Sequence, residues 1–427
     1  MSMRLCALVF SAICRACLLI AALPATAFAV TFTVNSVVDV PDDDPGDGVC
    51  RTAPDNSVCT LRAAIMQANA LPGPDRIELQ ANVTYVLTRS GKDDTGLNGD
   101  LDVLDSVTIV GAGATSTIID GNGVATGDRI MEVVRCIGNA ALVMGACPGD
   151  AIVVADISGI AFTHGKPSYL SLGGGAVRAS GRVTLTNCAF SDNAADVSGS
   201  GTYGGAIVVG SEKTTVIGST INNNHTSNSG GGIMVSDGSL SVINSTIVAN
   251  SANDIGGGIA VFSGSAGLYN VTVAGNIANA DAVHIGNGGG VATLSATIVL
   301  TNSILTGNTH RNEGSLLITL DDASGSITSA GHNIISNPAS VIGGAYSTGN
   351  PMLGPLRNNG GQTLTHALLP GSAALDSGEP TGCTDDFGQI LDVDQRGFSR
   401  PVNGCDLGAF EFVDEIFADD FDGESVL

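Results

Sequence analysis

The sequence has no tryptophan, only 4% aromatic residues and only 14% charged residues, while glycine occurs 58 times. This low content of aromatic residues is compatible with a narrow interior that is filled by small aliphatic side chains. Positive charge is also scarce: 17 Lys and Arg stand against 41 Asp and Glu, for a formal net charge of −24. A chain this acidic repels nucleic acid and anionic membranes, so neither is an expected partner. The same charge argues against tight binding of polyanionic sugars such as pectate, unless calcium bridges the two.

Several common functional motifs are absent from the sequence. There is no His-Glu-x-x-His, no Gly-x-Ser-x-Gly and no Gly-x-x-x-x-Gly-Lys-[Ser/Thr], and the six histidines are scattered. A zinc site, a serine-hydrolase elbow and a phosphate-binding loop are therefore not expected. After the N-terminal segment no run reaches 18 apolar residues, so no transmembrane segment is expected in the mature chain.

A two-part sequence motif recurs five times between Gly173 and Asn308. Its first part is a glycine cluster followed by aliphatic residues, and its second part is a β segment that ends in asparagine. These segments alternate with period two and are rich in Val, Ile and Thr. A unit of this length holds about three short strands with turns between them. The sequence therefore predicts an all-β fold, a right-handed parallel β-helix with a short N-terminal capping helix. The terminal asparagines are Asn193, Asn224, Asn250, Asn276 and Asn308, 26 to 32 residues apart.

Stacked coils place equivalent side chains directly above one another, about 4.8 Å apart. A second set of asparagines is therefore expected to form a ladder of amide hydrogen bonds, which Gly218 interrupts in the second repeat. The glycine clusters are expected at tight corners with positive φ. Cys188 replaces a Ser or Val of the sister repeats and is expected to be an inert buried thiol. The expected ladder consists of Asn187, Asn244, Asn270 and Asn302.

The N-terminus has the features of a secretory signal peptide. Arg4 supplies positive charge, Leu18–Leu23 the apolar core, and Ala27-Phe28-Ala29 a cleavage site. Cysteines of an exported chain favour disulfide bonds, and six of the seven after the signal are closely paired in sequence, all but Cys188. The expected location is therefore secreted or cell-surface. The expected disulfides are Cys50–Cys59, Cys136–Cys147 and Cys383–Cys405.

Changes of pattern divide the chain into five parts. Thr60 can cap a helix with Leu61, Ala64, Ile65 and Ala68 on one face, as a cap over the open end of a solenoid requires. The expected parts are a signal peptide (1–29), an N-terminal cap (30–75), the β-helix (76–345), a C-terminal region of turns and loops (346–412) and an acidic flexible tail (413–427).

Three segments resemble known families. Cys59-Thr60-Leu61-Arg62-Ala63-Ala64-Ile65 resembles the N-terminal signature of CSLREA-domain secreted proteins, with Thr60 and Ala63 in place of Ser and Glu. Residues 350–372 and 394–411 are similar to the choice-of-anchor Q domain. Residues 174–177 with 190–193 resemble the paired repeats of chlamydial polymorphic outer-membrane proteins, which are adhesins. The resemblance implies a bacterial, exported right-handed β-helix that is often tethered to the cell surface, and it supplies no agreed catalytic residues.

Two acidic loops are candidate calcium sites, because calcium prefers clustered carboxylate and carbonyl oxygens. Neither loop has the spacing of an EF-hand, so plain acidic loops are the alternative interpretation. Structural calcium is the cofactor that these loops favour. The first loop contains Asp42, Asp43, Asp44 and Asp47, and the second contains Asp93, Asp94 and Asp100.

Parallel β-helices also carry polysaccharide lyases and hydrolases, so fold analogy alone permits an enzyme. Stacked coils can bring Asp254 near Asp281 or Asp237, and two carboxyl groups about 5–9 Å apart can hydrolyse a glycosidic bond. Solvated loop acids are the simpler interpretation of these three residues. We therefore expect a non-catalytic adhesive or scaffold module that binds polysaccharide or a cell-surface glycan. The alternative is a carbohydrate-active enzyme, either a polysaccharide lyase or a glycoside hydrolase.

Overall fold

The protein is a long parallel β-solenoid in which four sheets follow one another around each complete coil. The computed structural model describes residues 29–93, 95–134, 152–168, 173–197, 202–315, 317–338, 340–342, 344, 346–401 and 403–413. Consecutive coils pair in parallel, so that Val216 lies opposite Val242. We number the sheets in chain order around a coil. One coil runs through Ile207–Val209 in sheet 1, Lys213–Ile217 in sheet 2, Thr220–Asn222 in sheet 3 and His225–Thr226 in sheet 4.

Sheets 1 and 2 are the first two walls of the solenoid. In the described part of the chain, sheet 1 consists of Leu101–Val103, Met131–Val133, Val177–Ala179, Ile207–Val209, Ile233–Val235, Ile259–Val261, Val291–Thr293 and Ala323–Ser324. Sheet 2 consists of Thr31–Thr33, Asp75–Glu78, Val107–Val110, Val154–Ser158, Arg182–Thr186, Lys213–Ile217, Ser239–Ile243, Ser265–Tyr269, Thr297–Thr301, Ile327–Ser329 and Val341–Ile342.

Sheets 3 and 4 complete the coil, and sheet 4 begins later along the chain than the others. Sheet 3 consists of Val83–Val86, Thr117–Asp120, Ala161–Thr163, Ala189–Ser191, Thr220–Asn222, Thr246–Val248, Thr272–Ala274, Ile304–Thr306 and Ile334–Ile335. Sheet 4 consists of Ala194–Ala195, His225–Thr226, Ser251–Ala252, Ile277–Ala278, Thr309–Arg311 and Ile318–Leu320. Two further strands, Leu353–Arg357 and Thr365–Leu368, form an antiparallel pair. The described helices are α1 (Leu61–Ala70) and α2 (Gly123–Thr126).

Small aliphatic side chains fill the interior in rows, one row for each inward position of a strand. Val216, Val242, Leu268 and Leu300 are register partners in consecutive coils, and all four are fully buried. The aromatic pair Phe162 and Phe190 stacks in the same way, with ring centroids 5.0 Å apart. The predicted all-β solenoid and its narrow core are confirmed.

The glycine clusters lie at the corner that leads into sheet 1, as predicted. The first glycine of each later cluster has a positive φ, for example 64° at Gly204 and 75° at Gly230. The second glycine is required for a different reason, because a Cβ atom on Gly205 would lie 2.1 Å from the carbonyl oxygen of Gly231. Neighbouring coils therefore approach too closely at this corner for any side chain.

A buried ladder of asparagine side chains runs along the corner between sheets 3 and 4. Each Nδ2 donates to the Oδ1 of the next coil: Asn224 to Asn250, Asn250 to Asn276 and Asn276 to Asn308, each at 2.9 Å. Each Oδ1 also accepts from the backbone N–H one coil earlier, such as that of Asn224 onto Asn250 at 3.0 Å. Asn193 begins the ladder, and Asn308 ends it by donating to Asp322 at 2.8 Å. The ladder satisfies buried backbone groups that the turn leaves unpaired.

The predicted ladder of Asn187, Asn244, Asn270 and Asn302 is wrong. These four residues have φ between 45° and 57°, and Gly218 occupies the same turn with φ of 60°. The turn needs a left-handed residue, and asparagine and glycine are the two residue types that tolerate it best. Gly218 therefore fills the same turn position as these asparagines and does not interrupt the series. The side chains of Asn244, Asn270 and Asn302 bind the C-terminal region instead.

Residues 350–412 run back along the solenoid and cover the outer face of sheet 3 in the coils from Thr220 to Ile304. Asn244 donates to the carbonyl of Val393 at 2.8 Å, and Asn270 donates to that of Thr384 at 2.9 Å. Gln395 exchanges hydrogen bonds with Thr246 and Thr220 at 2.7 and 3.0 Å. The outward threonines of this face, Thr220, Thr246 and Thr272, are consequently buried. These strands of sheet 3 therefore present no free Thr/Ser/Asn face, whereas Thr84 in the first strand of the sheet is exposed.

Helix α1 covers the N-terminal end of the solenoid, as predicted. Its N-cap Thr60 accepts the backbone N–H of Ala63 at 3.0 Å. Arg62 is 1% exposed, donates to the carbonyls of Gly96 and Gly99 at 2.8 Å, and pairs with Asp39 at 2.6 Å. The arginine of the signature segment thus fastens the cap to the first coils.

Two of the three predicted disulfides are confirmed, Cys50–Cys59 and Cys383–Cys405. The third, Cys136–Cys147, lies outside the described residues, as do residues 1–28 of the expected signal peptide and residues 414–427 of the expected tail. Disulfides indicate an oxidising, extracytoplasmic environment. Cys188 is free and fully buried, and burial raises the pKa of its thiol to about 12. Within the described ranges, no helix is both long and apolar enough to cross a bilayer.

A buried ionic pair holds the C-terminal region together. Arg400 donates to Glu411 Oε2 at 2.7 Å and also reaches Asn244 Oδ1 on the solenoid at 3.3 Å. Burial raises the pKa of Glu411 to about 7, from an ordinary value of 4.5, although Arg400 opposes the shift. The carboxyl group therefore titrates near neutral pH.

We expect Asn250→Ala to lower the free energy of unfolding by about 2–3 kcal/mol, since it leaves buried ladder partners in two coils unsatisfied. Urea denaturation would measure this loss. Asn222→Ala, at a half-buried position on the outer side of the preceding coil, is the matched control and should change stability by less than about 0.5 kcal/mol. Equal losses in the two variants would contradict the importance of the ladder.

The raised pKa of Glu411 predicts a stability that depends on pH. The protonated carboxyl is favoured in the folded state, so its contribution is full below about pH 4.5 and is lost as the pH rises through about 7. The melting temperature should therefore fall between pH 5 and pH 8. Melting curves of Glu411→Gln over the same range should be distinctly flatter, and identical slopes for both proteins would contradict the assignment.

Candidate functional site

An open groove lies at the start of sheet 4, where the solenoid changes from three walls to four. Its cavity measures about 610 Å³. Helix α2 forms one side, and residues 166–168 and 196–197 of the next two coils form the other sides. We call this the side groove; its polar lining residues are Thr126, Lys166, Ser168 and Asp196.

Close backbone packing fixes the walls of the side groove. Gly123 donates to the carbonyl of His164 at 2.8 Å, and Lys166 donates to that of Asp128 at 2.8 Å. A Cβ atom on Gly123 would lie 2.4 Å from the backbone nitrogen of Lys166, so only glycine permits this contact. The helix therefore occupies the place that sheet 4 takes in later coils, and the groove is the step between the two.

Four polar side chains from successive coils form a continuous chain beside the side groove. Lys166 Nζ lies 3.3 Å from Asp196 Oδ2, and His225 Nε2 lies 3.3 Å from Asp196 Oδ1. His225 Nδ1 then contacts Ser251 Oγ at 2.9 Å. His225 and Ser251 are register partners on sheet 4, so the stacking of coils brings them together. We call these four residues the polar row.

The polar row is partly exposed and combines hydrogen-bond donors and acceptors. The side chains of Lys166, His225 and Asp196 are 45%, 37% and 28% exposed. An amine, a carboxylate, an imidazole and a hydroxyl can together bind the hydroxyl groups of a ligand. The amine and the imidazole are also groups able to accept or donate a proton, with Asp196 orienting both.

Sequence patterns alone did not point to the polar row. His225 and Ser251 are 26 residues apart, so the repeat period could have paired them once the register was known. Lys166 and Asp196 lie beside segments without a regular repeat, where spacing gives no register. Stacking of the coils brings them together, because Ala194 donates to the carbonyl of Gly165 at 2.9 Å.

The predicted catalytic acids Asp254, Asp281 and Asp237 lie in two different loops of the coil. Asp254 and Asp281 follow register-paired strands of sheet 4, but Asp254 accepts a hydrogen bond from Ser229 at 3.0 Å, and Asp281 caps Val283 at 3.0 Å. Asp237 lies between sheets 1 and 2, at the opposite edge of sheet 1 from Asp254. The expectation that Asp237 occupies a loop equivalent to that of Asp254 is therefore wrong.

The first predicted calcium loop is held by hydrogen bonds and ion pairs of its own. Asp42 accepts from Gln67 Nε2 at 2.8 Å and from the backbone of Arg51 and Asp44 at 3.0 Å. Arg51 pairs with Asp43 at 3.0 Å and with Asp47 at 2.7 Å. These carboxylates already have partners, and calcium binding at this loop stays a prediction.

The described acids of the second predicted loop, Asp93 and Asp100, have different partners. Burial opposes ionisation of Asp93, but hydrogen bonds from Thr95 and Asn98 hold its pKa below the usual value. Asp94 lies outside the described residues. The carboxylate of Asp100 approaches those of Asp102 and Glu132, with ligand oxygens within 4.8 Å of one another.

Asp100, Asp102 and Glu132 form the acid cluster, the group of three or more metal-compatible side chains within the described ranges. Asp102 and Glu132 are register partners in consecutive coils of sheet 1. Burial and the neighbouring carboxylates raise the pKa of Asp100 well above its usual value. Asp100 Oδ2 is buried and accepts no hydrogen bond.

Two arginines supply positive charge to the acid cluster. Arg129, 2% exposed, lies 3.2 Å from Asp100 Oδ2 and 3.4 Å from Glu132 Oε2. Arg178 lies 2.9 Å from Glu132 Oε1, so each oxygen of Glu132 faces a guanidinium. The three carboxylates are oxygen ligands of the kind that a hard cation prefers. The arginines, however, already neutralise two of them, Asp100 and Glu132. The cluster is best described as a buried ion-pair network that joins the first coils.

Comparison with known proteins agrees with this architecture. A family model described as a right-handed beta helix region matches residues 145–309. The fold is a right-handed parallel β-helix. No curated protein sequence matches the chain. Among solved structures, the crystal structure of pectate lyase Pel9A aligns with a TM-score of 0.40 and 13% sequence identity, covering 90% of this chain and 98% of that one.

We expect Arg129→Met to lower the free energy of unfolding by about 3–5 kcal/mol, because it leaves buried carboxylates without their counter-charge. Chemical denaturation would measure the loss. Arg178→Met is the control, since Arg178 is about one quarter exposed and should cost less than about 1 kcal/mol. Calcium should stabilise Arg129→Met more than the native protein, and the reverse order would contradict the assigned role of Arg129.

Proposed function

We propose that this protein is a secreted or surface-displayed β-helix that binds polysaccharide in the side groove and along the polar row, without cleaving it. It would act as an adhesive or scaffold module. The observation that carries the proposal is the continuity of the open groove with a row of partly exposed polar side chains, one from each successive coil. Two disulfides support a role outside the cytoplasm.

The geometry of the polar row suits a ligand with repeating units. Coils of a parallel solenoid recur at about 4.8 Å, so the row presents groups at a spacing close to the length of one sugar unit. His225 on one coil and Ser251 on the next are an example of this repetition. Such contacts are individually weak, and their number along the groove provides affinity.

Charge and composition narrow the class of glycan. A net charge of −24 repels a polyanion, so a neutral polysaccharide or one with amino groups fits better. Only 4% of residues are aromatic, so recognition would depend on hydrogen bonds more than on stacking against rings. Residues 350–412 cover the later strands of sheet 3, while the start of sheet 4 combines an open cavity with partly exposed polar side chains.

The second candidate function is cleavage of the bound polysaccharide. It is favoured by the convergence of Lys166, Asp196 and His225 at the groove. Lys166 or His225 would remove a proton in a lyase reaction, or Asp196 would act with a second carboxyl group in hydrolysis. Asp254 and Asp281 are the nearest sequence-predicted acids along sheet 4, and each already has a hydrogen-bond partner.

The test uses purified residues 30–427 with neutral, amino-bearing and acidic polysaccharides, with and without calcium. Co-sedimentation measures binding, while new reducing ends and the absorbance of unsaturated products measure cleavage. We expect binding without cleavage, and the double variant Lys166→Ala/Asp196→Asn should weaken it at least about ten-fold, a change of about 1.4 kcal/mol.

The control is Asp156→Asn/Arg182→Ala, which makes the same change in charge on the outer face of sheet 2. Both of these residues are exposed there, away from the side groove, so the control should bind like the native protein. Cleavage that disappears in Lys166→Ala/Asp196→Asn would favour the enzyme over the binding module. Equal binding by the two double variants would contradict the location of the site.

A further inference from the structure

A second, smaller cavity lies where the last coils of the solenoid meet the C-terminal region. Its volume is about 170 Å³, close to that of about six water molecules in the liquid. It shares no described lining residue with the side groove, which belongs to earlier coils. We call it the C-terminal pocket; its lining includes His332, Tyr346, Ser347, Ala373, Ser377 and Leu407.

Backbone pairing fixes the solenoid side of the C-terminal pocket. Sheet 3 ends with the strand that contains Ile335, and Ser347 pairs with this strand. Ser347 donates to the carbonyl of Asn333 at 2.7 Å, and its own carbonyl accepts from Ile335 at 2.9 Å. His332 and Tyr346 directly precede the two residues that the first of these bonds joins, so the pairing brings both of them to the pocket.

Close packing and a disulfide fix the opposite side of the pocket. Gly378 donates to the carbonyl of Cys405 at 2.9 Å, and a Cβ atom on Gly378 would lie 2.6 Å from Cys405 Sγ. The same cysteine forms the second disulfide, and Leu407 donates to the carbonyl of Ala374 at 3.0 Å. Ser377 and Leu407 are therefore held in place before any ligand binds. A site with fixed walls loses little conformational entropy on binding.

The polar side chains of the pocket retain capacity for hydrogen bonds to a ligand. The hydroxyl group of Tyr346, a residue 40% exposed, has no hydrogen-bond partner among the described residues. His332 Nε2 lies 3.6 Å from Glu379 Oε2, and within the same part of the chain its Nδ1 has no partner. Ser377 Oγ donates to a backbone carbonyl at 2.9 Å and can still accept, whereas Ser347 Oγ accepts a backbone N–H at 3.0 Å and can still donate.

Apolar surface accompanies these polar groups. Leu407 and Ala373 belong to the hydrophobic cluster beneath the C-terminal region, and the ring of Tyr346 adds an aromatic face. Among the described residues, the lining contains no Asp, Glu, Lys or Arg, which favours an uncharged ligand. A neutral sugar ring matches this combination, because it has an apolar C–H face and an edge of hydroxyl groups. Apolar walls with a few placed polar groups are typical of small-molecule sites.

We propose that the C-terminal pocket binds one neutral sugar residue, the terminal unit of a glycan chain. The apolar face of the sugar lies against the ring of Tyr346. Its hydroxyl groups bond to His332, Ser347 and Ser377. The small volume admits a single ring, so a chain end enters the pocket, whereas the open side groove accepts the interior of a chain. This inference goes beyond the proposed function, with which it shares the class of ligand but no residue, so either can fail while the other holds.

The test is saturation-transfer NMR of the purified protein with methyl glycosides of neutral hexoses and of N-acetylhexosamines. We expect weak binding of at least one of these sugars, which Tyr346→Ala weakens at least about ten-fold. Tyr346→Phe keeps the ring and should weaken binding less. His332→Ala should also weaken it, and His284→Ala is the matched control. His284 is likewise a partly exposed histidine that faces an acid, Asp281 at 3.3 Å, but it lies outside the pocket.

The position of the sugar in the chain is tested by competition. An unbranched glycan cut to shorter lengths should displace the methyl glycoside in proportion to its number of chain ends at constant mass. Displacement that depends on mass alone would contradict recognition of a terminal unit.

Melting curves of all variants establish that each is folded. The proposal is overturned if no sugar of the panel gives a signal with the native protein. It is also overturned if Tyr346→Ala and His332→Ala fold and bind like His284→Ala. Polysaccharide that co-sediments while no free sugar binds would remove the C-terminal pocket and leave the side groove. Free sugars that bind Lys166→Ala/Asp196→Asn as they bind the native protein would support a pocket separate from the groove.

Discussion

Every feature of this protein depends on the register between consecutive coils, and the buried asparagine ladder is the interaction that enforces it. The amides of Asn224, Asn250 and Asn276 each bond both the side chain and the backbone of an adjacent coil. A shift of one residue would bury these amides unpaired, at a cost of about 1–3 kcal/mol for each group. Apolar rows such as Val216–Val242 would tolerate such a shift more easily, so the ladder selects one register where hydrophobic burial alone does not.

The polar row and the acid cluster are consequences of the same register. His225 meets Ser251, and Asp102 meets Glu132, because the strands that carry them are paired partners in neighbouring coils. The surroundings then decide the role of each group. Arg129 and Arg178 neutralise the buried acids of the first coils, whereas Lys166, Asp196 and His225 stay partly exposed beside an open groove. The exposed group is therefore the better candidate for contact with a ligand.

The repeat made the solenoid, its glycine corners and its capping helix predictable, because these depend on local pattern and period. The roles of the two asparagine sets were not predictable in the same way. The set that begins with Asn187 and the set that begins with Asn193 recur with the same period. Only the backbone geometry shows that the first set occupies left-handed turns and that the second forms the buried ladder. The contact between the C-terminal region and sheet 3 could not be predicted from the sequence either, because Thr220 and Gln395 are 175 residues apart in the chain. The side groove depends on α2, which interrupts the repeat.

The return of residues 350–412 across the coils has a consequence for the order of folding. Neighbouring coils join residues about 26 to 32 positions apart, while contacts such as Gly218 with Thr363 join residues 145 positions apart. Closure of the longer loop costs more conformational entropy and requires a surface that only assembled coils provide. The coils can therefore form one after another as the chain emerges, and the returning segment fastens last. Its docking turns a stack that could open from either end into a unit that must unfold as a whole.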